Sequence, residues 1–222
     1  MSGTLLTNEP LSRHTSWRVG GPADRYYEPS NRDDLAAFVR SLPANEPILW
    51  IGLGSNLLVR DGGIRGTVIA LYEHLDSIEQ TGEHEITAEA GAHCARLAKF
   101  ATQARCAGAG FLAGVPGTVG GALAMNAGAH GGETWNVVHE AEIMYRDGRC
   151  EWLGKSAFKY GYRHVELPAD MAGFTGARFR FAADADASAE KEMKSWLAKR
   201  KATQPVGKPS AGSTFRNPPG DH

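Results

Sequence analysis

Apolar residues recur at helical spacing and in short runs along the first third of the chain, which indicates alternating helix and strand. A helix is predicted where four apolar residues follow a capping pair and two first-turn acids. The apolar positions are Leu35, Phe38, Val39 and Leu42, the cap is Ser30-Asn31, and the acids are Asp33 and Asp34. Short apolar runs bounded by turn residues predict buried strands around Tyr26-Tyr27, residues 47–51 and residues 67–71.

Further along, the spacing changes from helix to hairpin and back to helix. Alternation on both sides of Asp147-Gly148 predicts a hairpin over residues 141–153 with a two-residue turn. Phe179 and Phe181 share one face of a strand predicted over residues 177–181. Two further helices are predicted, one with Cys94, Leu97, Ala98 and Ala101 that stops near Gly108, and one with an apolar stripe of Ala189, Met193, Trp196 and Leu197.

This order of elements predicts an α+β fold, because helices and strands alternate first and hairpins follow. A chain of 222 residues with 42% hydrophobic content can bury the core of one large domain or two small ones. Its net charge of −1 gives no general attraction to nucleic acid or to an anionic membrane. Any anion site must therefore be local.

Cysteine usage and the N-terminus bear on the cellular compartment. The three cysteines, Cys94, Cys106 and Cys150, form no CxxC pair, so neither a disulfide framework nor a zinc site is indicated. Residues 1–10 lack a basic segment followed by an apolar one, and no run of eighteen apolar residues occurs. These features predict a cytoplasmic protein.

The segment of residues 114–122, GVPGTVGGA, carries four glycines in nine residues and leads into a predicted helix. Glycine in an ordered element costs about 0.5–1 kcal/mol relative to alanine, so such a run indicates a backbone that a ligand approaches closely. Backbone N–H groups ahead of a helix bind anions, which predicts a diphosphate site. A flexible surface loop is the alternative, but the interleaved Val115, Val119, Leu123 and Met125 disfavour it.

Two other segments imitate dinucleotide fingerprints. Residues 52–57, GLGSNL, follow a predicted strand, but the turn at Asp61-Gly62 leaves no room for a crossover helix. Residues 108–113 have the spacing but end a predicted helix instead of following a strand. Walker and HExxH motifs do not occur, so no metal site is predicted. The two glycine loops suit an extended dinucleotide such as a flavin cofactor.

Five segments spread over the chain occur in a characteristic order. They are TSWRVGGPA at 15–23, GLGSNLL at 52–58, residues 114–129, YGYR at 160–163 and GSTFRNP at 212–218. Together they resemble the UDP-N-acetylenolpyruvoylglucosamine reductase family over essentially the whole chain. Five ordered motifs are far more specific than any single glycine pattern.

The resemblance implies an FAD enzyme of peptidoglycan precursor synthesis. It implies two FAD-binding subdomains of the vanillyl-alcohol-oxidase type, residues 1–72 and 73–185, and the start of a UDP-sugar domain at residues 186–222. NADPH would reduce the non-covalently bound FAD, which would reduce the enolpyruvyl double bond of the sugar nucleotide to give UDP-N-acetylmuramate. A cytoplasmic monomer is expected, with NADPH and UDP-N-acetylglucosamine enolpyruvate as partners and with neither nucleic acid nor membrane.

The resemblance also assigns roles to individual residues. Predicted FAD contacts are Gly52, Leu53, Gly54, Ser55, Asn56, Leu57, Gly114, Val115, Pro116, Gly117, Thr118, Gly120, Gly121, Asn126 and Ala127. Predicted substrate contacts are Tyr162, Arg163, Arg200, Gln204, Ser213 and Asn217. Arg163 would stabilise the enol-like intermediate, because a fixed guanidinium suits a carboxylate that carries developing charge. Ser213 would deliver the proton to the adjacent carbon.

The family continues beyond the last motif and places a third catalytic group, a glutamate, near its own C-terminus. The chain is therefore expected to be a fragment that retains FAD and turns over poorly. Two alternatives stay open. One is a related sugar or alcohol flavoprotein oxidase, for which His130 would be the candidate for a covalent flavin tether; the other is a paralogue that binds flavin or UDP-sugar without catalysis.

Overall fold

The structure, a computed structural model, describes residues 2–204 as a mixture of helices and strands. Strands β1 to β8 are Thr4–Pro10, Pro22–Glu28, Ile48–Ile51, Ile64–Ala70, Ile78–Gly82, Glu85–Glu89, Cys106–Ala107 and Gly128–Ala129. Strands β9 to β15 are Gly132–Glu133, Val138–Tyr145, Cys150–Gly154, Lys159–Gly161, His164–Glu166, Met171–Arg180 and Ala182–Ala183. Helices α1 to α5 are Arg32–Ser41, Cys94–Gln103, Val119–Met125, Thr134–Val137 and Ala189–Thr203, and the 3-10 helices are Leu11–Arg13, Gly110–Gly114 and Lys155–Ala157. The predicted α+β class is confirmed.

Two sheets organise these elements. The first has the strand order β1-β2-β4-β3, with β2, β4 and β3 parallel and β1 antiparallel at the edge. The second is antiparallel and has the order β11-β10-β14-β6-β5. Three two-stranded ribbons, β12-β13, β15-β7 and β8-β9, complete the pairing in the described part of the chain.

The central strands of both sheets are covered on both faces, which explains why β4, β10 and β14 contain runs of buried residues without alternation. In β2, Tyr26 belongs to the hydrophobic cluster on one face of the first sheet, and Tyr27 belongs to the cluster on the other. In β10, Met144 joins the same cluster as Tyr27, whereas Ile143 joins the large cluster beneath α2 and α3. One cluster therefore lies between the two sheets and connects them.

Helix α1 begins where the sequence predicts. The side chain of Asn31 accepts a hydrogen bond from the backbone N–H of Asp34 at 2.9 Å and so caps the helix. Leu35, Phe38 and Val39 are buried in the cluster between the sheets. The predicted strands around Tyr26-Tyr27 and at residues 47–51 and 67–71 are likewise confirmed as β2, β3 and β4.

The carboxylate of Asp34 is buried, with 6% of the residue exposed, and accepts three hydrogen bonds. The donors are the hydroxyl of Tyr27 at 2.6 Å and the backbone N–H groups of Ser2 at 2.8 Å and Ser30 at 3.0 Å. Burial alone raises the pKa of this carboxyl, but the hydrogen bonds together outweigh burial and lower the pKa to about 2. The ionised form is therefore part of the folded structure.

We expect Asp34→Asn to lower the free energy of unfolding at neutral pH by about 2 kcal/mol, because the native pKa lies below the unfolded value. The stabilisation is complete above the unfolded pKa of about 3.8 and disappears as the pH falls toward 2. Urea unfolding of both proteins at pH 7 and pH 3 measures the difference. Asp33→Asn is the matched control, since Asp33 is an exposed acid in the same helical turn. A gap that stays constant with pH, or equals that of the control, would contradict this account.

An ion-pair network fastens α1 to the second sheet. The guanidinium of Arg32 contacts Glu142 through Nη1 and Glu89 through Nη2, the latter at 3.0 Å. Glu142 is buried, and its carboxylate also accepts a hydrogen bond from Thr175 Oγ1 at 2.8 Å. The network crosses the boundary predicted near residue 72, so the two predicted subdomains share buried polar contacts.

Two predicted boundaries are wrong in detail. Helix α2 ends at Gln103 rather than near Gly108, because Arg105 adopts a left-handed conformation with φ of 59° and ends the helix. The two-residue strand β7 therefore separates the helix from Gly108. The hairpin at Asp147-Gly148 has a three-residue rather than a two-residue loop, since Tyr145 N–H donates to Arg149 O and only Gly148 has a positive φ, 80°.

Helix α5 forms as predicted but buries a narrower stripe. Ala189 and Met193 are buried, Trp196 is half-buried, and Leu197 is 40% exposed. The buried face continues from Trp196 to Arg200, which places Leu197 on the solvent side. The predicted assignment of Leu197 to the apolar stripe is therefore wrong.

Candidate functional site

The first glycine segment, residues 52–57, begins the loop between the parallel strands β3 and β4. Gly54 has a φ of 58° and lies against the backbone of residues 14 and 15, where a Cβ would overlap the carbonyl oxygen of His14. Ser16 N–H donates to the Gly54 carbonyl at 3.2 Å. The loop that carries the TSWRVGG motif therefore packs against the Gly54 backbone.

The second glycine segment, residues 114–121, runs from the end of a 3-10 helix into the first turn of α3. Thr118 is the N-cap residue of α3 and is buried. The next two backbone N–H groups point inward, because Val119 donates to Ala92 O at 2.9 Å and Gly120 donates to Ala90 O at 2.8 Å. Two further N–H groups of the segment are also engaged, since Val115 donates to Leu112 O at 3.1 Å and Gly117 donates to Val115 O at 2.9 Å. The expectation that the whole turn presents bare N–H groups to an anion is therefore corrected at these four positions.

The two glycine segments meet. A Cβ on Gly52 would overlap Thr118 Oγ1 and would lie 2.8 Å from Thr118 Cγ2. A Cβ on Gly117 would lie 3.4 Å from Ser55 Oγ, an ordinary van der Waals distance. Segments that are separated by some sixty residues of sequence thus form adjoining walls of one site.

Internal packing explains some of these glycines but not all. Gly114 lies against Ala129 and His130, and Gly120 lies against Ala90, so their missing side chains are accounted for. Gly121 is exposed, and the nearest atom to an added Cβ would be Thr118 Oγ1 at 4.0 Å. Its N–H has no backbone acceptor within residues 2–204. The open side of Gly121 therefore fits a cofactor that the backbone must approach closely.

We expect Gly121→Leu to weaken binding of FAD at least tenfold while slightly stabilising the apoprotein. Leucine is a better helix former than glycine by roughly 0.5–1 kcal/mol, so stability and binding should move in opposite directions. Thermal unfolding without FAD and fluorescence titration with FAD provide the two measurements. Ala37→Leu adds similar bulk at an exposed position of helix α1 and serves as the control. Equal affinity in wild type and Gly121→Leu would show that Gly121 does not face the cofactor.

Arg163 lies in the tight turn of the β12-β13 ribbon, where it has a φ of 53°. Its guanidinium carbon is 5.8 Å from the centre of the Tyr162 ring. The Tyr160 ring stacks on buried Trp135, with 5.4 Å between centroids and 13° between planes. The aromatic residues of the YGYR motif therefore hold the ribbon and the arginine at its tip.

Asn126 ends α3 in the left-handed conformation, and 3% of the residue is exposed. Its Nδ2 donates to Glu133 Oε2 at 3.0 Å and to Gly161 O at 3.1 Å, and its Oδ1 accepts from Trp135 N–H at 3.0 Å. The carbonyl of Ala127 also accepts internal hydrogen bonds, from the N–H and the hydroxyl of Thr134. Both residues assigned to the flavin are thus engaged inside the fold.

Arg200 connects α5 to the second glycine segment. Its Nη1 donates to Gly114 O at 2.9 Å, and its Nε donates to Gln204 Oε1 at 3.2 Å. One turn earlier, the Trp196 ring stacks on His130 with 5.1 Å between centroids. Burial, together with nearby Lys199 and Arg200, lowers the pKa of His130. The two residues assigned to the substrate, Arg200 and Gln204, therefore lie beside the predicted cofactor loop.

Two predicted site residues, Ser213 and Asn217, lie outside the described residues. Within residues 2–204, no cluster of three or more His, Cys, Asp or Glu side chains could hold a metal ion. None of the helices in this part of the chain is long and apolar enough to span a membrane.

Comparison with known proteins identifies the family. An FAD binding domain model matches residues 23–154, a stretch that contains both glycine segments. UDP-N-acetylenolpyruvoylglucosamine reductase of Methylococcus capsulatus is 52% identical over 219 residues, which cover 99% of this chain and 72% of the relative. The enzyme of that name from Alkalilimnicola ehrlichii is 51% identical over 220 residues, covering 99% of this chain and 73% of the relative.

The chain belongs to the UDP-N-acetylenolpyruvoylglucosamine reductase family.

A solved structure supports the same assignment. The crystal structure of UDP-N-acetylenolpyruvylglucosamine reductase (MurB) from Thermus caldophilus matches with a TM-score of 0.82 and 30% identity, covering 100% of this chain and 77% of that one. The family resemblance, the FAD-binding α+β fold and the oxidoreductase class predicted from the sequence are thereby confirmed. The roles assigned to single residues stay predictions.

Sequence reasoning missed several residues that shape the family site in this chain. Glu133 and Trp135 hold the Asn126 side chain, and the carbonyls of Ala90 and Ala92 hold the start of α3. These contacts join residues that belong to different segments of the structure. Neither periodicity nor spacing carries a signal for them.

Proposed function

We propose that the chain belongs to an enzyme that carries out the NADPH-dependent, FAD-mediated reduction of UDP-N-acetylglucosamine enolpyruvate to UDP-N-acetylmuramate, a step in peptidoglycan precursor synthesis. The observation that carries the proposal is the meeting of the two glycine segments at Gly52 and Thr118. Family membership supports the proposed reaction, and this junction supports the proposed place of its cofactor. We also propose that the enzyme is cytoplasmic, because its substrates, NADPH and a sugar nucleotide, are water-soluble.

The cofactor would lie along the two adjoining segments, residues 52–57 and 114–121. Gly121 offers an approachable backbone, and Ser55 offers a hydroxyl at the junction. When bound, FAD would supply the transfer of a hydride from NADPH to the enolpyruvyl group. The protein's own task in this region is to fix the orientation of the cofactor.

The substrate would bind at the opposite end of α3. That helix has seven residues, about 10 Å in length, and runs from the second glycine segment to Asn126, which bonds to the carbonyl just before Tyr162 and Arg163. Arg163 would pair with the substrate carboxylate and stabilise the charge that develops there. Ser213 would donate the proton to one carbon of the double bond as the other receives hydride.

The remaining assignments belong to the same proposal. Tyr162, Arg200, Gln204 and Asn217 would contact the sugar nucleotide, and Asn126 and Ala127 would border the flavin. The subdomain limits at residues 72 and 185 and a monomeric state are also proposed. Arg200 would both bind the carbonyl of Gly114 and contact the sugar nucleotide. A guanidinium has five N–H donors, and the bond to Gly114 uses one of them.

An anaerobic experiment on the FAD-loaded protein tests the proposal. NADPH should bleach the flavin absorbance, and added UDP-N-acetylglucosamine enolpyruvate should restore it with formation of UDP-N-acetylmuramate. Ser213→Ala should leave bleaching intact and slow the restoration. Restoration only by oxygen, or bleaching by a sugar or alcohol, would indicate an oxidase instead. Flavin that acid precipitation fails to release would indicate a covalent tether, with His130 as the residue to examine.

A further inference from the structure

The Asn126 side chain is the point at which the end of α3 is tied to the Arg163 turn. The residue adopts φ of 41° and ψ of 51°, a conformation that asparagine tolerates better than most residues. Because the asparagine side chain is short, its direction is set mainly by the backbone conformation of the residue. Its placement is therefore fixed by the last turn of the helix.

The chemistry of the three hydrogen bonds fixes the orientation of the amide. Trp135 N–H can only donate, so it must meet Oδ1, and Gly161 O can only accept, so it must meet Nδ2. Glu133 Oε2 takes the second N–H of the amide. All hydrogen atoms of the amide are used, and a flipped amide would lose these bonds.

The ribbon on which Arg163 lies depends on such anchors. It has three residues in each strand and pairs with no other strand in the described part of the chain. An isolated two-stranded hairpin is only marginally stable in water. Val165 packs into the large core and Tyr160 stacks on Trp135, but the bond from Asn126 is formed at the residue that adjoins the turn.

Asn126 also organises the stacking surface for that ribbon. It accepts from the backbone of Trp135, whose indole Nε1 donates to Leu123 O of α3 at 2.9 Å. The same indole ring carries Tyr160 on its face. One amide therefore sets both the hydrogen bond and the aromatic platform that hold the turn.

From this arrangement we propose that Asn126 is a positioning residue, which acts through Gly161 to hold the Arg163 turn in place for the enolpyruvyl substrate. The part of this proposal that concerns the substrate rests on the proposed function, whereas the hydrogen-bonded link from Asn126 to the turn does not. A displacement of about 1 Å in a positioning group can cost a hundredfold in rate. The hydrogen bonds of the side chain therefore act at the substrate end of the site, and the proposed place of Asn126 beside the flavin does not depend on them.

Two variants at Asn126 and one control test the proposal. Asn126→Asp keeps the acceptor for Trp135 but loses both donors and places a second carboxylate beside Glu133. Asn126→Gly keeps the backbone conformation without charge and removes every side-chain bond. Glu133→Gln is the control, because a glutamine oxygen can still accept from Asn126 Nδ2 while the charge is removed.

Hydrogen exchange of the FAD-loaded protein, followed peptide by peptide, gives the first measurement. We expect exchange in residues 159–166 to become about tenfold faster in both Asn126 variants, with other peptides and the Glu133→Gln control unchanged. The Kd for the enolpyruvyl sugar nucleotide, read from the flavin spectrum, should rise about tenfold, whereas the Kd for FAD stays within twofold. Substrate affinity tests the functional part and exchange tests the structural part.

Unchanged exchange in residues 159–166 would overturn the proposal, and so would a loss of FAD affinity equal to the loss of substrate affinity. If Asn126→Asp unfolds the protein, the uncharged Asn126→Gly variant is judged by the same measurements, hydrogen exchange in residues 159–166 and the Kd values for substrate and FAD. A wild-type protein that fails to bind the sugar nucleotide would refute the proposed function, while the exchange data would still report on the link between Asn126 and the turn.

Discussion

Gly52→Ala is expected to weaken FAD binding about 10- to 100-fold, because the added methyl group enters the space of Thr118. Overpacking a close contact of this kind costs about 1–3 kcal/mol, and the contact joins the two segments that are proposed to hold the cofactor. The strain should separate those segments while leaving the clusters between and beneath the sheets intact. FAD titration followed by flavin fluorescence, with circular dichroism as a check of folding, measures the effect.

A matched control and a compensating variant sharpen this prediction. Gly62→Ala adds the same methyl group where nothing lies within 4 Å and where the backbone is not left-handed, so its affinity should equal that of wild type. Adding Thr118→Ala to Gly52→Ala removes the two closest atoms and leaves Cβ at 3.0 Å, which should restore part of the affinity. Full FAD affinity in Gly52→Ala would show that the junction of the segments does not hold the cofactor.

Arg163→Lys is expected to slow reaction with the enolpyruvyl sugar nucleotide about 10²- to 10³-fold, with little change in FAD affinity. Lysine keeps the positive charge but lacks the planar fork that pairs with a carboxylate through two hydrogen bonds. Loss of one well-placed group that stabilises developing charge has an effect of this size. Stopped-flow absorbance of the flavin during reaction with the substrate measures it.

Lys159→Ala is the control for the arginine variant. It removes a positive charge from the same ribbon, but its ion pair with Glu166 at 3.1 Å is largely exposed and contributes little. The control should therefore react at the rate of wild type. Equal rates for Arg163→Lys and Lys159→Ala would remove Arg163 from its proposed role.

Local chain chemistry is what made the elements predictable. Helix α1 has its capping Asn31, its first-turn acids and its buried Leu35 and Phe38 all within one short stretch, and each of them appears as predicted. Strand β10 and its partner β11 are likewise visible from alternation around Gly148. Signals of this kind depend only on residues that are neighbours in sequence, so they can be recognised without knowledge of the fold.

The wrong predictions concern backbone conformation and packing, which the types of neighbouring residues do not reveal. Gly108 was the obvious residue to end α2, yet Arg105 adopts the left-handed conformation three positions earlier. The type I′ turn that Asp-Gly favours requires positive φ at both residues, and of Asp147 and Gly148 only Gly148 has it. Leu197 looked apolar enough for the core, but the packing of α5 on residues 110–114 selects Trp196 and Arg200 instead.

The site was predictable in its segments but not in its contacts. The glycine patterns and the family resemblance located residues 52–57, residues 114–121 and the Arg163 turn. The contact between Gly52 and Thr118, and the bond from Asn126 to Gly161, depend on how distant loops are brought together by the two sheets. A glycine therefore reads the same in sequence whether it makes room for a ligand, as proposed for Gly121, or for a neighbouring side chain, as at Gly52.

The most direct test of the central claim is the absorption spectrum of the purified 222-residue chain, first stripped of flavin by acid, then refolded and titrated with FAD. We expect uptake of one FAD per chain, an oxidised-flavin spectrum, and complete release of the flavin on renewed acid treatment. A chain that regains its circular dichroism but takes up no FAD would contradict the claim that the two glycine segments form a cofactor site.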